Sequence, residues 1–285
     1  MKKFSYIIFL LLNSLNKIFK FLFNKEFKYY LYDYLRQSYL KIKINGKNVL
    51  FFTPSEISRW RVKTLYKEEP ETLKWIDEFE TDKNTFFWDI GANIGLYSIY
   101  ASTKHSEIKT VAFEPSTANL NILSRNISAN KLENNVSIFQ LPLTDGDIQF
   151  NFMNENTFNE GGALNAFGVE YDYRGEKFEP KNKYKILGIS INHILKNKIL
   201  EVPKYIKIDV DGIEHLILKG AEKYLHDKRI KSILVELDTT FSKKFEFANK
   251  MLEESGFRLK HKKRAEYFRR PEQYKNTWNF IFERK

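Results

Sequence analysis

The sequence predicts an α/β protein built around a mainly parallel sheet, and three features of its pattern predict it. Short apolar segments typical of buried strands alternate with longer helical patterns between residues 85 and 141. The predicted strands there are residues 85–90, 109–114 and 136–141, and the predicted helices are residues 94–104 and 117–131. This order implies parallel pairing with right-handed crossovers. The other two features are a tight glycine turn after the first strand and a further strand–helix unit at residues 205–225.

The remaining part of the main domain extends this plan. We predict a strand at residues 231–237, a helix at about 241–254 and a final strand pair near 257–260 and 278–283. Segments 148–154 and 184–191 are predicted to form two arms of an antiparallel extension. The long loop between them, residues 155–183, is typical of a functional lid or binding loop, or else is mobile.

The first part of the chain has a different pattern. Residues 40–53 alternate apolar and polar residues around Asn45-Gly46, which is a strong hairpin signal. A helix is predicted from about residue 55, and Pro70 begins another that runs to residue 79, since proline suits a first helical turn. We therefore expect an appendage of helical segment and hairpin at residues 1–53 and one main domain at residues 54–285.

The turn after the first strand of the main domain indicates a ligand site. The strand ends in Asp89, and Gly91, Asn93 and Gly95 form a G-x-N-x-G turn that opens a helix. Open α/β sheets bind nucleotide-type ligands at this position, where glycine lets the ligand lie against the backbone. The spacing differs from the dinucleotide fingerprint, and no phosphate loop occurs. An acid beside this turn suits ribose hydroxyls, an ammonium and a sulfonium, which together describe S-adenosylmethionine; a simple tight turn is the alternative.

Acids at two further strand ends support this interpretation. Glu114 lies 19 residues after Gly95, where a carboxylate would accept hydrogen bonds from ribose hydroxyls; a solvated glutamate is the alternative. Asp209 ends the strand at residues 205–210, and Asp211 leads into the next helix. The residues that we predict to bind the cofactor are Asp89, Gly91, Asn93, Gly95 and Glu114.

Three motifs also occur in the order and at the separations of a known family. They are DIGANIG, AFEPS and KIDVDGIEHLILKGA. The chain closely resembles the FkbM-type S-adenosylmethionine-dependent methyltransferases from about residue 54 to the closing WNFIFER. The resemblance implies the class I methyltransferase fold, which is Rossmann-like with a mostly parallel seven-stranded sheet and helices on both faces. It also implies methyl transfer, most often to a hydroxyl group of a sugar or a related small molecule.

Methyl transfer from a sulfonium requires donor and acceptor to be held in line, and a base helps because a sugar hydroxyl is a poor nucleophile at neutral pH. In this topology Asp209 and Asp211 fall beside the methyl group of the donor. We predict that Asp209 contacts the donor or the acceptor, that Asp211 is the catalytic base, and that His215 is a further candidate base. Alternatively, Asp211 caps the helix that begins at Gly212.

Lys207 is unusual because it lies inside an apolar strand. An unpaired buried ammonium is costly, so we predict an ion pair with Glu236 on the neighbouring strand. The alternative is that the long side chain of Lys207 reaches solvent.

Acids cluster at the predicted strand ends, but without the ligand pattern of magnesium-dependent catechol-type methyltransferases. We therefore expect no metal, and magnesium dependence stays a minor hypothesis. The clustered acids are Asp209, Asp211, Glu214, Glu236 and Asp238.

Residues of the long loop at residues 155–183 are expected to form either a carbohydrate platform or a hydrophobic lid. They are Phe158, Gly161, Gly162, Asn165 and Phe167.

Composition and charge limit the partners. The 285 residues carry a net charge of +11 and no cysteine, which excludes disulfides, thiolate metal sites and a cysteine nucleophile. Basic residues are frequent in the first 47 residues and at residues 258–275, but no recognisable RNA-binding module accompanies them. A nucleic-acid partner is therefore disfavoured against a solvated, lysine-rich surface.

The N-terminal segment begins like a signal peptide but has no small-residue cleavage site, and its uninterrupted apolar run is too short to span a bilayer. Lysines mixed with large apolar residues are typical of an interfacial amphipathic helix. Residues 1–36 are predicted either to attach the protein to the inner face of the membrane or to pack as a plain helix on the catalytic domain.

The sequence thus predicts a cytoplasmic O-methyltransferase that uses S-adenosylmethionine and acts on a small molecule, a glycan or a glycolipid precursor. An RNA methyltransferase is one rival, supported by the basic C-terminal segment. A non-catalytic, donor-binding scaffold protein is a rival of another class.

Overall fold

A computed structural model describes residues 1–171, 176–177, 179–240, 242–264 and 276–284. The predicted start of a helix at residue 241 lies outside the described residues. The same holds for part of the loop predicted at residues 155–183 and for the part of the basic segment between residues 265 and 275.

Most predicted elements of the main domain lie within a few residues of their predicted bounds. The exceptions are the helix Ile191–Lys196 and the strand Ala166–Phe167, which were not predicted, and the helix after Gly212, which ends at Lys219 rather than near residue 225. The helices are α1 (Lys2–Phe23), α2 (Lys28–Arg36), α3 (Glu56–Glu68), α4 (Pro70–Asp77), α5 (Leu96–Lys104), α6 (Thr117–Ala129), α7 (Ile191–Lys196), α8 (Glu214–Lys219) and α9 (Ser242–Glu254). The strands are β1 (Tyr39–Ile44), β2 (Lys47–Phe52), β3 (Phe86–Ile90), β4 (Lys109–Phe113), β5 (Val136–Phe139), β6 (Ile148–Glu155), β7 (Ala166–Phe167), β8 (Asn182–Ile189), β9 (Tyr205–Ile208), β10 (Ser232–Asp238), β11 (Phe257–Lys263) and β12 (Thr277–Arg284).

Seven strands form one sheet in the order β11-β12-β10-β9-β3-β4-β5. The five strands from β10 to β5 in this order pair in parallel, whereas β12 runs antiparallel to both β10 and β11. The carboxyl ends of the five parallel strands therefore meet at one edge of the sheet, where ligands bind in open α/β folds. The prediction of an α/β protein with a mostly parallel seven-stranded sheet is confirmed.

Helices cover both faces of this sheet. Successive side chains of a strand point to opposite faces, and the strands here are apolar at successive positions, so both faces must be buried. Trp88 packs in the same hydrophobic cluster as Ile217 of α8 and Leu252 of α9. Its neighbour Phe87 belongs instead to the cluster that contains Ile99 of α5 and Trp75 of α4.

The hairpin of β1 and β2 turns at Asn45 and Gly46, both of which have positive φ, as a two-residue type I′ turn requires. Its second strand is covered by α6. The side chain of Asn126 accepts a hydrogen bond from the Phe52 amide at 2.6 Å, and Asn130 exchanges two hydrogen bonds with the backbone of Leu50. The division of the chain at residue 53 stays a prediction, but these contacts favour a boundary in front of the hairpin.

A second, three-stranded sheet has the order β7-β6-β8 and is antiparallel. The predicted antiparallel arms are thus confirmed, with one correction. The second arm ends at Ile189 rather than at Ile191, because the side chain of Ser190 accepts a hydrogen bond from the His193 amide and caps α7.

The N-terminal residues form two helices, and α1 projects from the domain. Asn16 is the one buried residue of α1, and its partners are Glu26 and the backbone of Lys28 at the start of α2. The alternative of a plain helix packed on the catalytic domain is therefore wrong for α1. The uninterrupted apolar run is short, but the whole 22-residue helix is long and apolar enough to cross a membrane by length and composition.

Candidate active site

A cavity of about 210 Å³ opens at the carboxyl ends of the parallel strands. Its walls come from the ends of β3, β4, β9 and β10, from α3, and from the loop between β6 and β7. Among the described residues, its charged walls consist of six acids and one base. The acids are Glu68, Glu69, Glu114, Asp209, Asp211 and Glu236, and the base is Arg61. Such a site favours a cationic ligand that carries hydroxyl groups.

The glycine turn forms the floor of the cavity, and the neighbouring strand explains why Gly91 is required. Gly91 has a φ of +85°, and a Cβ there would lie 1.8 Å from the carbonyl oxygen of Asp209. Gly95 also has a positive φ, and its Cβ would lie 2.4 Å from Leu123 of α6. Gly91 and Asn93 line the cavity whereas Gly95 does not, so Gly95 shapes the turn through helix packing.

Asp89 lies beneath the cavity instead of in its wall. It is fully buried, and one carboxylate oxygen accepts a 2.6 Å hydrogen bond from the Ser98 hydroxyl; the other has no hydrogen-bond partner among the described residues. Burial raises the pKa of Asp89, and the charge of nearby Lys207 opposes that rise. The sequence predicted that Asp89 binds the cofactor. Its buried position and its contact with Ser98 of α5 indicate instead that it supports the glycine turn from beneath.

Glu114 and Asn93 face the cavity together. The two carboxylate oxygens of Glu114 accept hydrogen bonds from the Asn93 amide at 2.7 Å and the Ser116 amide at 2.8 Å. A carboxylate has about four acceptor positions, and Asn119 is a third partner, so Glu114 can still accept a hydrogen bond from a ribose hydroxyl. The buried side-chain oxygen of Asn93 has no hydrogen-bond partner in the described part of the chain. These two groups fit the ribose and a hydrogen-bond donor of S-adenosylmethionine.

Asp211 faces the cavity from the opposite side, in a strained backbone conformation. Its φ of +60° is rare for a residue with a side chain, and such strain concentrates at functional sites. Its carboxylate accepts a 2.6 Å hydrogen bond from the Leu164 amide, and burial together with the charge of Asp209 raises its pKa to about 6. The alternative role as a helix cap is wrong, because the N-cap of α8 is Ile213 and no side chain caps it.

Lys207 is fully buried and pairs with Asp209, whose carboxylate lies 2.6 Å from its ammonium. The sequence instead predicted Glu236 as the direct partner. Lys207 is level with Leu234 in the register of β9 and β10, so Glu236 lies two residues further along, beside Asp209. Although burial raises it, the pKa of Asp209 is held below its usual range by Lys207 and by a hydrogen bond with Glu236. The alternative that Lys207 reaches solvent is wrong as well.

His215 does not reach the cavity. Its side chain is partly buried in α8, Nδ1 has no hydrogen-bond partner within the described residues, and burial together with nearby Lys244 lowers its pKa to about 4. The structure therefore brings together Asp209, Asp211, Gly91, Asn93 and Glu114, but not His215.

The loop between β6 and β7 covers the cavity and is held from both sides. The side chain of Asn119 accepts from the Gly161 amide at 2.9 Å, and Arg61 donates to the Gly161 carbonyl at 2.7 Å. The Gly162 carbonyl accepts a 2.8 Å hydrogen bond from Asn93. Of the predicted platform, Gly162, Asn165 and Phe167 line the cavity, whereas Phe158 is exposed and Gly161 lies just outside.

Several lining residues were not singled out from the sequence, because tertiary packing brings them to the cavity. Glu69, at the junction of α3 and α4, accepts a 2.9 Å hydrogen bond from Tyr97, and Trp60 of α3 presents a half-exposed indole at the mouth. Asn119 and Arg61 hold the covering loop. The proline and three glutamates at residues 68–71 mark a helix junction, but no local pattern shows that this junction faces the ligand. Among the described residues, no group of three or more His, Cys, Asp and Glu side chains could hold a metal ion.

The strand order and this acidic crevice define a class I methyltransferase. The chain belongs to the FkbM methyltransferase family: residues 89–259 match the family description "Methyltransferase FkbM domain". The protein is therefore an S-adenosylmethionine-dependent methyltransferase.

Two named relatives agree with this assignment. The chain is 29% identical to methyltransferase sdnD of Sordaria araneosa, over 63% of this chain and 76% of that protein. It is 25% identical to hexuronic acid methyltransferase AglP of Haloferax volcanii, over 68% of this chain and 72% of that protein.

Solved structures with similar topology share little sequence with this chain. M. jannaschii TYW2 in complex with AdoMet aligns with 15% identity and a TM-score of 0.45, over 87% of this chain and 88% of that chain. M. capricolum TrmK in complex with S-adenosyl-homocysteine aligns with 13% identity and a TM-score of 0.43, over 75% and 67%. At these scores the alignments carry no argument about activity.

Replacing Glu114 tests the donor side of the cavity. We expect Glu114→Gln to weaken S-adenosylmethionine binding about ten- to a hundredfold, because hydrogen bonds to a charged group contribute about 1.5–3 kcal/mol. Burial raises the pKa of Glu114 to about 7, so wild-type affinity should also fall between pH 8 and pH 6 as the carboxylate is protonated. Isothermal titration calorimetry measures both effects. The exposed Glu133→Gln is the control, and equal affinities for the two variants would remove Glu114 from the donor site.

Proposed function

We propose that this enzyme transfers the methyl group to a hydroxyl oxygen of a sugar, within a glycan or a glycolipid precursor. The observation that carries the proposal is the position of Asp211. Its carboxyl group faces the cavity opposite Glu114 and Asn93, with a pKa raised to about 6. A base with a pKa near the working pH suits an acceptor whose proton must be removed as it reacts.

The chemistry of the proposed step needs few groups. When bound, S-adenosylmethionine supplies an electrophilic methyl carbon on sulfur. The acceptor oxygen forms a bond to this carbon while the carbon–sulfur bond breaks, and the hydroxyl proton passes to Asp211. S-adenosylhomocysteine leaves with the electron pair of the broken bond. Asp209, which Lys207 holds ionised, contributes negative charge beside the reacting groups.

The proposed roles of the other site residues follow their positions. Glu114 binds the ribose, Asn93 binds a donor group of the ligand, and Gly91 allows the close backbone approach that forms the floor. Asp89 and Gly95 act indirectly, by fixing the turn. His215 has no role as a base in this proposal, because it lies outside the cavity and burial lowers its pKa.

The acceptor class is supported by two observations. The relative AglP, which is 25% identical to this chain, is named a hexuronic acid methyltransferase, and a hexuronic acid is a sugar acid. In this chain, Trp60 presents an indole at the cavity mouth, and Asn165 presents an amide nearby. Aromatic faces and amides together suit a pyranose, whose faces are apolar and whose edges carry hydroxyls.

We place this reaction in the cytoplasm, where the methyl donor is made, with the N-terminal helices at the inner face of the membrane. A small-molecule acceptor is compatible with the same site. An RNA acceptor has weaker support, since an acidic cavity repels a phosphate backbone.

Assays with separate acceptor pools test the proposal. The purified protein is incubated with S-adenosylmethionine and with nucleotide sugars, a lipid-linked glycan fraction, or total RNA. We expect S-adenosylhomocysteine to form above background with a sugar-containing pool only. Turnover with RNA alone would favour the rival methyltransferase, and donor binding without turnover in any pool would favour the scaffold.

A further inference from the structure

The N-terminal helices expose an apolar surface that the domain does not cover. Along α1, large apolar side chains recur at the spacing of one helix face. Six of them, Phe4, Ile7, Leu11, Leu15, Ile18 and Leu22, share this face, and each is between 55% and 62% exposed. Tyr6, Phe9, Phe21 and Phe23 lie off this face and are between 56% and 89% exposed. Contiguous apolar surface of this length is rare on a protein that has no partner.

Contacts on the opposite face of α1 fix this orientation. Asn16 is buried, and its side chain bonds the Lys28 amide at 3.1 Å and Glu26 at 3.3 Å. One turn further on, Lys20 forms a 2.6 Å ion pair with Glu26. The polar face therefore meets the start of α2, and the apolar face points away from the protein.

The charges and aromatic rings around this surface match an anionic bilayer. Residues 1–36 contain seven lysine and arginine residues but two acids. Tyr29, Tyr30 and Tyr34 of α2 are at least 60% exposed, and tyrosine rings are favoured at the level of lipid headgroups. Because Lys17 and Lys20 lie within α1 on its polar face, an orientation along the surface avoids placing charges in the hydrocarbon.

The same helices connect to the loop that covers the cavity. Arg36, the last residue of α2, pairs with Glu160 at 3.0 Å. The Glu160 carbonyl also accepts a 2.6 Å hydrogen bond from Ser55, and the next residue, Gly161, is held by Arg61 and Asn119. Phe158, in the same loop, is 67% exposed.

We propose that α1 and α2 lie on the surface of an anionic bilayer and, through Arg36 and Glu160, hold the mouth of the methyl-transfer cavity against that surface. The enzyme then takes its acceptor from the membrane, which makes the acceptor a lipid-linked sugar. This substrate class rests on the proposed function, whereas the bilayer contact does not.

Vesicle binding tests the surface, with two neighbouring residues as a matched pair. The full-length protein is sedimented with vesicles of phosphatidylglycerol and phosphatidylcholine, and with vesicles of phosphatidylcholine alone. We expect wild-type protein to bind the anionic vesicles. Leu15→Glu and Asn13→Glu add the same charge, but Asn13 lies on the opposite side of α1, so Leu15→Glu should bind about tenfold more weakly than Asn13→Glu. Equal binding of the two variants, or no binding by wild type, would overturn the proposal.

A fluorescent label tests where the cavity mouth lies. The chain has no cysteine, so an introduced cysteine carries the label at one position. Phe158→Cys places an environment-sensitive dye on the loop, and Ser106→Cys places it before β4, at the opposite edge of the sheet. We expect anionic vesicles to raise the emission at position 158 and to leave position 106 unchanged. A change at neither position, or at both, would refute the proposed orientation.

A second copy of the chain is the competing occupant of this surface. Analytical ultracentrifugation separates the two. If a second copy covers the surface, the wild-type protein sediments as a dimer and does not bind vesicles, and Leu15→Glu dissociates that dimer. Both readouts are made without acceptor, so their failure leaves the methyl-transfer proposal intact. Conversely, an absence of turnover with every sugar-containing pool would leave the vesicle-binding and sedimentation results unchanged.

Discussion

Asp211→Asn should lower kcat about 10²–10⁴-fold while leaving the affinity for S-adenosylmethionine unchanged. The asparagine keeps the size of the side chain but cannot take a proton from the acceptor, and general-base catalysis typically contributes this factor. With S-adenosylmethionine saturating at every pH, wild-type kcat should fall as the pH drops below about 6, since protonated Asp211 is inactive. This acidic limb should be absent from the residual kcat of the variant. Steady-state kinetics from pH 5 to pH 9 measure both effects.

Stability measurements distinguish the loss of the catalytic base in Asp211→Asn from a loss of folding. Because its pKa is raised in the folded protein, ionisation of Asp211 costs stability as the pH rises through 6, so at pH 8 the variant should be at least as stable as wild type. Asp147→Asn, at an exposed position, is the matched control and should keep wild-type kinetics. Near wild-type turnover by Asp211→Asn would exclude the base role.

Lys207→Met should lower the free energy of unfolding by about 3–5 kcal/mol, the usual cost of breaking a buried ion pair by removing one partner. The ammonium of Lys207 is fully buried, lies 2.6 Å from Asp209, and also interacts with Glu69 and Asp89. Without it, these carboxylates stay buried around a neutral side chain. Urea denaturation at pH 7 measures the difference.

The loss of stability in Lys207→Met should depend on pH and on the presence of Asp209. Lys207 holds the pKa of Asp209 down, so the stability of the pair is present above the unfolded pKa near 4 and is lost as the pH falls through the lower folded value. The gap between wild type and Lys207→Met should therefore narrow in acid. Lys207→Met combined with Asp209→Asn should recover part of the loss, and the exposed Lys231→Met should change stability by less than about 0.5 kcal/mol. A Lys207→Met protein within 1 kcal/mol of wild type at pH 7 would contradict an essential buried pair (roughly the scale of an ordinary substitution).

Local patterns predicted the elements well where one rule dominates. The Asn45-Gly46 turn, the proline start of α4 and the parallel strand–helix alternation all occur in the structure. The end of β8 was missed because the alternation of apolar residues continues into α7. The capping hydrogen bond of Ser190 depends on the fold, so the alternation alone could not reveal it.

The positions of the candidate site residues were easier to predict along a strand than across strands, and their roles stay predictions. Glu114 and Asp211 reach the cavity because strand ends converge in any parallel sheet. The partner of Lys207 was missed because register between β9 and β10 is a tertiary property, whereas Asp209 lies on the same side of the chain two residues away. Arg61 and Asn119 come from helices whose approach to the loop no local pattern encodes.

The origin and destination of the methyl group test the central claim most directly. The protein is incubated with S-adenosylmethionine carrying carbon-13 in its methyl group and with the sugar-containing pool, and the product is analysed by nuclear magnetic resonance and mass spectrometry. A crevice of carboxylates that binds the donor and deprotonates a hydroxyl predicts the labelled carbon in a methyl ether on the sugar. Label on nitrogen or carbon of the acceptor, or no labelled product together with no affinity for S-adenosylhomocysteine, would contradict it.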